Sequence, residues 1–114
     1  MNKKQIRSEF RKLVFKRDNY TCRACGKKYS LETAEENLDA HHITNRNDVP
    51  NGGYVKENGV SLCKHGNPSC HEKAEANNLP GFSKEELYAK IGSSYELAYQ
   101  ASSKAGLQPS FPVL

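Results

Sequence analysis

Four cysteines and four histidines are the residues of this sequence best equipped for chemistry. Cys22 and Cys25 enclose two residues, Cys63 and Cys70 enclose six, and 37 residues lie between the pairs. A two-residue gap lets both thiolates of a knuckle reach one ion, and zinc takes four such ligands tetrahedrally. Gly26, directly after the second cysteine, permits the reversed backbone that a knuckle turn needs. The second pair is wider than usual, and Gly66 and Pro68 within residues 64–69 suit an insert that loops outward. Four cysteines with none left over complete a structural zinc shell; His65 in place of one thiolate is the alternative. A redox C-x2-C would need a surrounding βαβ pattern, which this sequence lacks, and two disulfides would need an oxidising compartment.

Three of the four histidines are interleaved with the cysteines. Leu38-Asp39-Ala40-His41-His42-Ile43 lies between the pairs, followed by Glu57-Asn58-Gly59-Val60-Ser61-Leu62-Cys63 and then Cys70-His71-Glu72. Adjacent side chains on a strand point to opposite sides, so one of His41 and His42 can face a metal while the other faces a substrate. A zinc on Cys70 would hold His71 near the same place. Asp39 shares a strand face with His41 and is a rival ligand, although a cap or a solvated acid is the plainer reading. Asn58 taken alone is an ordinary turn residue before Gly59.

The elements that must position these groups follow from periodicity. Ile6, Phe10, Leu13 and Val14 recur at three- and four-residue steps, predicting a helix over 5–17 with Lys and Arg on its other face. Asp18-Asn19 breaks it. Residues 29–37 are ambiguous, with a short acidic helix the best reading. Residues 38–43 and 60–62 read as strands, and 44–58, rich in Asn, Asp, Gly and Pro, as a loop. A helix is predicted from Ser69 or Cys70 to about Asn77, ended by Leu79-Pro80-Gly81. Ser83 and Glu86 form a capping box for a helix to about Ile91. Another runs over 94–103 with Tyr95, Ala98 and Tyr99 on one face, before a loose tail marked by Pro109 and Pro112.

The bulk numbers agree with a stapled module. A chain of 114 residues fits one domain, and 36% apolar residues with no Trp imply a thin core that needs a staple. No apolar run approaches the ~20 residues of a membrane span. The basic N-terminus leads into no apolar stretch, so the expectation is no signal peptide, no membrane and a reducing cytoplasm. Residues 1–28 carry ten Lys and Arg against two acids, whereas the remainder carries seven against eleven. A basic front end suits a polyanion; a solvated helix face is the plainer alternative.

The order C-x2-C, His-His-Ile, Asn-Gly-Val-x-Leu-Cys and Cys-His resembles the HNH endonuclease family over roughly residues 10–76. The resemblance implies an α+β fold, a small zinc-stapled ββα-metal domain (1–81) with an N-terminal helix; the segment 82–114 lies outside the motif, and its C-terminal helices are expected to pack on that domain or bind a partner. It implies that His42 is the general base and that His41 and His71 hold a catalytic divalent metal. Asn58 would orient the base through its backbone carbonyl. Two departures stand out: the long gap between Cys63 and Cys70, and Glu75 where some members carry a third metal-binding His. Glu75 lies one helical turn after His71, able to ligate or to remain a surface acid.

The implied activity is metal-dependent hydrolysis of DNA phosphodiesters, by nicking or double-strand cutting. Two imidazole ligands favour Mn²⁺ or Ni²⁺ at least as much as Mg²⁺. Arg11, Lys12, Lys16, Arg17, Arg23, Arg46 and Lys56 are candidate phosphate contacts, which position a duplex without reading its sequence. Stand-alone proteins of this kind resemble phage packaging accessories as well as restriction and mobile-element nucleases. That favours low sequence specificity, a targeting partner such as a packaging motor, a bacterial host cytoplasm if phage-encoded, and a monomer or weak dimer. The alternative function is a non-catalytic zinc module that binds nucleic acid or protein.

Overall fold

In the computed structural model, which describes residues 1–77 and 79–107, helix α1 (Lys3–Arg17) starts on a reciprocal cap. The Asn2 side chain accepts from the Gln5 N–H, and the Gln5 side chain accepts from the Asn2 N–H. Phe10, Val14 and Phe15 are its buried residues. The expected stripe is therefore shifted: Leu13 is 48% exposed, and Phe15 takes the inward place.

Asp18 ends α1 and is itself buried. Its carboxylate accepts two bonds from Arg17, at 2.8 and 2.9 Å, one from Arg23 at 3.3 Å, and the Ser61 backbone N–H at 2.9 Å. A buried carboxylate is tolerable only when its oxygens are occupied in this way. The cluster fixes the end of α1 against the second strand.

A short α2 (Ala34–Asn37) leads into β1 (Leu38–His42), which pairs antiparallel with β2 (Gly59–Cys63). Leu38 faces Cys63, Ala40 faces Ser61, His41 faces Val60 and His42 faces Gly59. Strand alternation divides these pairs between two sides. His42 and Gly59 lie under α1. A Cβ on Gly59 would stand 2.5 Å from Val14 Cγ2 and 2.7 Å from the Phe10 ring, so only glycine admits this approach. Asp39 and His41 lie on the other side, against α3 (Cys70–Ala76), which is capped by the Ser69–Glu72 box.

The segment 44–58 is not the loose loop its composition suggests. It contains two 3-10 turns, Pro50–Gly53 and Lys56–Asn58, and buries Thr44, Val49, Gly53 and Asn58. Helices α4 (Lys84–Lys90) and α5 (Tyr95–Leu107) pack onto it. The Ser93 hydroxyl donates to the Glu57 carbonyl at 2.8 Å, and the Asn51 amide to the Ser102 carbonyl at 2.9 Å. On α5 the packed residues are Ala98 and Ser102, while Tyr95 and Tyr99 are turned outward, 48% and 46% exposed. The expected common face of Tyr95, Ala98 and Tyr99 is thus corrected to a small-residue face. Pro109 and Pro112 lie outside the described residues.

Among the described residues the chain is a small α+β structure of five α-helices and one two-stranded antiparallel sheet. Its core joins α1, both strands, α4, Ala98 and three of the cysteines in one cluster. No helix of the described residues is long and apolar enough to cross a membrane.

Candidate active site

The four cysteines arrive from three elements: the 22–25 knuckle, the end of β2 and the first residue of α3. Their sulfurs all lie within 4.8 Å of one another, with Cys25 and Cys63 4.0 Å apart. Zinc with ~2.3 Å bonds sets tetrahedral sulfurs about 3.8 Å apart, so the cage has the right size. The backbone N–H groups of Cys25 and Cys63 point at Cys22 Sγ, at 3.5 and 3.3 Å. Burial works to raise the Cys22 thiol, but these bonds outweigh it and lower the pKa. Burial raises the Cys70 thiol strongly, and its cysteine neighbours raise it further. Crowded thiolates of this kind call for a cation among them. The set is positioned to bind a metal and is consistent with zinc. His65 stands apart from it, its Nε2 2.6 Å from Asn37 Oδ1.

The interleaved histidines come together in one cleft of about 840 Å³, lined by His41, His42 and His71 along with Arg7, Arg11, Arg46 and Tyr54. The long insert between Cys63 and Cys70 does not displace His71. It folds onto α2, where Lys64 donates to the carbonyls of Asn37 and Glu35, both at 2.9 Å.

His71 and His41 meet edge to face, ring centroids 5.1 Å apart. His71 Nδ1 donates to Asp39 Oδ2 at 2.7 Å, and this bond is the main reason its pKa is raised and that of Asp39 lowered. Asp39 is thus neither a cap nor a solvated acid but the carboxylate that orients His71. The two-residue spacing from His41 on a strand is the signal that places it there. His71 keeps Nε2 free, with Glu75 Oε2 3.8 Å away on an exposed side chain. His41 is largely buried; desolvation, with the nearby His71 and His42, lowers its pKa to about 4, so it is neutral at pH 7.

His42 occupies the opposite side of β1. Its ring lies between Phe10, at 4.6 Å, and Tyr54, edge-on at 4.8 Å. Burial lowers its pKa, opposed by a hydrogen bond to the Gly52 carbonyl. Nε2 is buried without a hydrogen-bond partner among the described residues. Here the geometry departs from expectation. The Asn58 carbonyl accepts from the Ile43 N–H at 2.9 Å and does not hold the base. The Asn58 side chain instead ties the segment together: Oδ1 accepts from the Thr44 N–H at 3.0 Å, and Nδ2 donates to the Thr44 and Gly53 carbonyls at 3.0 and 3.3 Å.

Of the expected phosphate contacts, Arg11 and Arg46 line the cleft, and Arg11 also bonds Glu35 at 3.2 Å. Lys12, Lys16 and Lys56 lie outside its lining. Arg17 and Arg23 are committed elsewhere. Arg17 also donates to the carbonyls of Lys56 and Gly59, at 2.5 and 2.6 Å, and Arg23 donates to that of Lys90. Their donors hold strands and helices together and are not free for phosphate. Sequence reading missed Arg7 and Tyr54. Burial works to raise the Tyr54 phenol, but hydrogen bonds from Arg46 and Arg7 prevail and lower it. Arg7 lies three residues before Phe10, on the helix side that meets His42, and that spacing could have marked it.

Among the described residues, the thiols are the one group of three or more Cys, His, Asp or Glu ligands within 4.8 Å of one another. A second cation in the cleft would have two histidines as its protein ligands and several positions open. Comparison with known proteins gives a family assignment: residues 22–77 match the model described as HNH endonuclease. No curated protein and no solved structure matches the chain. The match begins at the first cage cysteine and ends just beyond α3, enclosing the thiol cage, His41, His42, Asn58 and His71, and by it residues 22–77 of this chain are a domain of the HNH endonuclease family.

Proposed function

We propose that this protein is a metal-dependent DNA endonuclease with His42 as general base. The family supports a nuclease or nucleic-acid-related role. The observation that carries the finer reading is the convergence of His41, His42 and His71 on one cleft edged by arginines.

The residues fit a divalent cation. His41 is neutral, and His71 has one nitrogen tied to Asp39 and the other free. A cation held there supplies positive charge to the scissile phosphate and to the departing 3′ oxygen. The remaining work falls to the chain. Arg7 and Arg46 hold the phosphates flanking the scissile bond, in the duplex-positioning role of such contacts. Burial lowers the pKa of His42, so it offers a neutral imidazole to the cleft it lines. The neutral imidazole takes a proton from water as the water's oxygen bonds to phosphorus, and the bond to the 3′ oxygen breaks with its electron pair. Phe10 and Tyr54 grip the ring, so the base does not have to be ordered in each turnover.

The test is nicking of supercoiled plasmid with Mg²⁺, Mn²⁺ or Ni²⁺, beside His42→Ala. Loss of general-base catalysis should lower the rate roughly 10²- to 10⁴-fold. Mn²⁺ and Ni²⁺ should serve at least as well as Mg²⁺. Equal cutting by both proteins would remove His42 from the mechanism. DNA binding without cleavage under any metal would leave the non-catalytic zinc module.

A further inference from the structure

Tyr54, whose ring lies edge-on to His42 at 4.8 Å, directly follows a turn of three left-handed residues. Asn51, Gly52 and Gly53 are consecutive residues with φ of 56°, 82° and 65°. Such conformations persist when surrounding structure over-determines them. Three bonds to this segment come from beyond the HNH match. The Asn51 side chain donates to the Ser102 carbonyl of α5. Tyr88 of α4, buried at 4% exposure, lays its hydroxyl between Thr44 Oγ1, at 2.6 Å, and Asn58 Oδ1, at 2.7 Å.

We infer that Tyr88 is a positioning residue for the base, and that the C-terminal helices are thereby part of the active site. The route is short and made of named contacts. The Tyr88 hydroxyl donates to Asn58 Oδ1; Asn58 Nδ2 donates to the Gly53 carbonyl; Gly53 leads directly into Tyr54, whose ring lies edge-on to His42 at 4.8 Å. Thr44 Oγ1 donates to the Tyr88 oxygen, which aims the phenol proton at Asn58. Space at the turn is as tight as its bonding: a Cβ on Gly53 would stand 2.6 Å from Asn58 Nδ2. Burial raises the Tyr88 phenol, so it remains a donor throughout the neutral range. A deeply buried tyrosine ring needs only apolar surroundings; a hydroxyl bonded on both sides within this network has a further task.

The inference rests on the nuclease reading for its consequence, and its test separates the two. Tyr88→Phe keeps the ring and removes both bonds. In the nicking assay kcat should fall about tenfold, the equivalent of one buried hydrogen bond, with KM for plasmid unchanged and zinc retained. Hydrogen exchange at the Thr44 amide should speed up about tenfold, while that of Leu62 in β2 stays the same. Tyr95→Phe on the exposed face of α5 should change neither quantity. Asn51→Gly, which accommodates the turn but loses the bond to Ser102, should also lower kcat and covers the case in which Tyr88→Phe folds poorly. Unchanged exchange at Thr44, or a kcat equal to that of the parent, would overturn the role of Tyr88. A parent protein that nicks under no metal would end the nuclease reading, and the exchange rates would still decide whether Tyr88 clamps the turn.

Discussion

His41 and His42 are adjacent in sequence and differ in everything that matters for chemistry. One residue of register on β1 sends His41 toward α3 and His42 toward α1. Both are neutral at pH 7 because burial lowers each pKa, but their free nitrogens are suited to different partners. Asp39 completes this division. By taking Nδ1 of His71 at 2.7 Å it fixes the tautomer and ring orientation, which makes Nε2 a stronger ligand. Asp39→Asn retains the shape and weakens the charge-assisted bond. Mn²⁺ affinity, read by titration of the zinc-loaded protein without DNA, should then fall about 10- to 100-fold. Parental affinity in that variant would mean that Asp39 only balances the charge of Lys64, 3.7 Å away.

At the scale of elements, each side of the sheet has one helix with one chemical task. α3 brings His71 to His41, and α1 brings Phe10 onto His42. The second contact depends on Gly59, directly across from His42. Gly59→Ala would push a methyl group into Val14 and Phe10 and force α1 away from the sheet. Overpacking of this kind costs typically ~1–3 kcal/mol. A lowered melting temperature should be accompanied by slower nicking, because Phe10 leaves the base; an unchanged melting temperature would show that α1 yields without strain. Much of this layout was legible in the sequence. A capping box announced α4, composition announced α3, and the short segments 38–43 and 60–62 were read as the strands that became β1 and β2. The segment 44–58 was not legible, since its polar composition is that of any loop. Its order comes from Asn58, Tyr88 and Ser102, contacts 30 to 51 residues apart in the chain that no local pattern encodes. Arg17 and Arg23 misled for the same reason: the carbonyls of Lys56, Gly59 and Lys90 that take their donors lie far along the chain.

At the scale of the whole molecule, the thiol cage is built into the apolar core. Cys22 is fully buried, and Cys63 and Cys70 are 6% exposed within the same cluster as Leu38, Val60 and Leu62. The sulfurs join the knuckle, β2 and α3, of which α3 is only seven residues long. Helices that short are not stable by themselves. A structural zinc contributes apparent folding energy of about 10–16 kcal/mol, as large as the ~5–15 kcal/mol net stability of a typical domain. Its removal should therefore unfold the module. It should do more than loosen one loop, because Cys70 is the first residue of α3 and His71 follows it directly. Chelation should release one equivalent of metal, expose four reactive thiols and abolish the cooperative thermal transition seen by circular dichroism. Mn²⁺ added to the chelated protein should restore no nicking, whereas zinc followed by Mn²⁺ should. A metal-free chain that still melts cooperatively near the parental temperature would show that the apolar cluster suffices, and the cage would then be needed for the position of His71 alone.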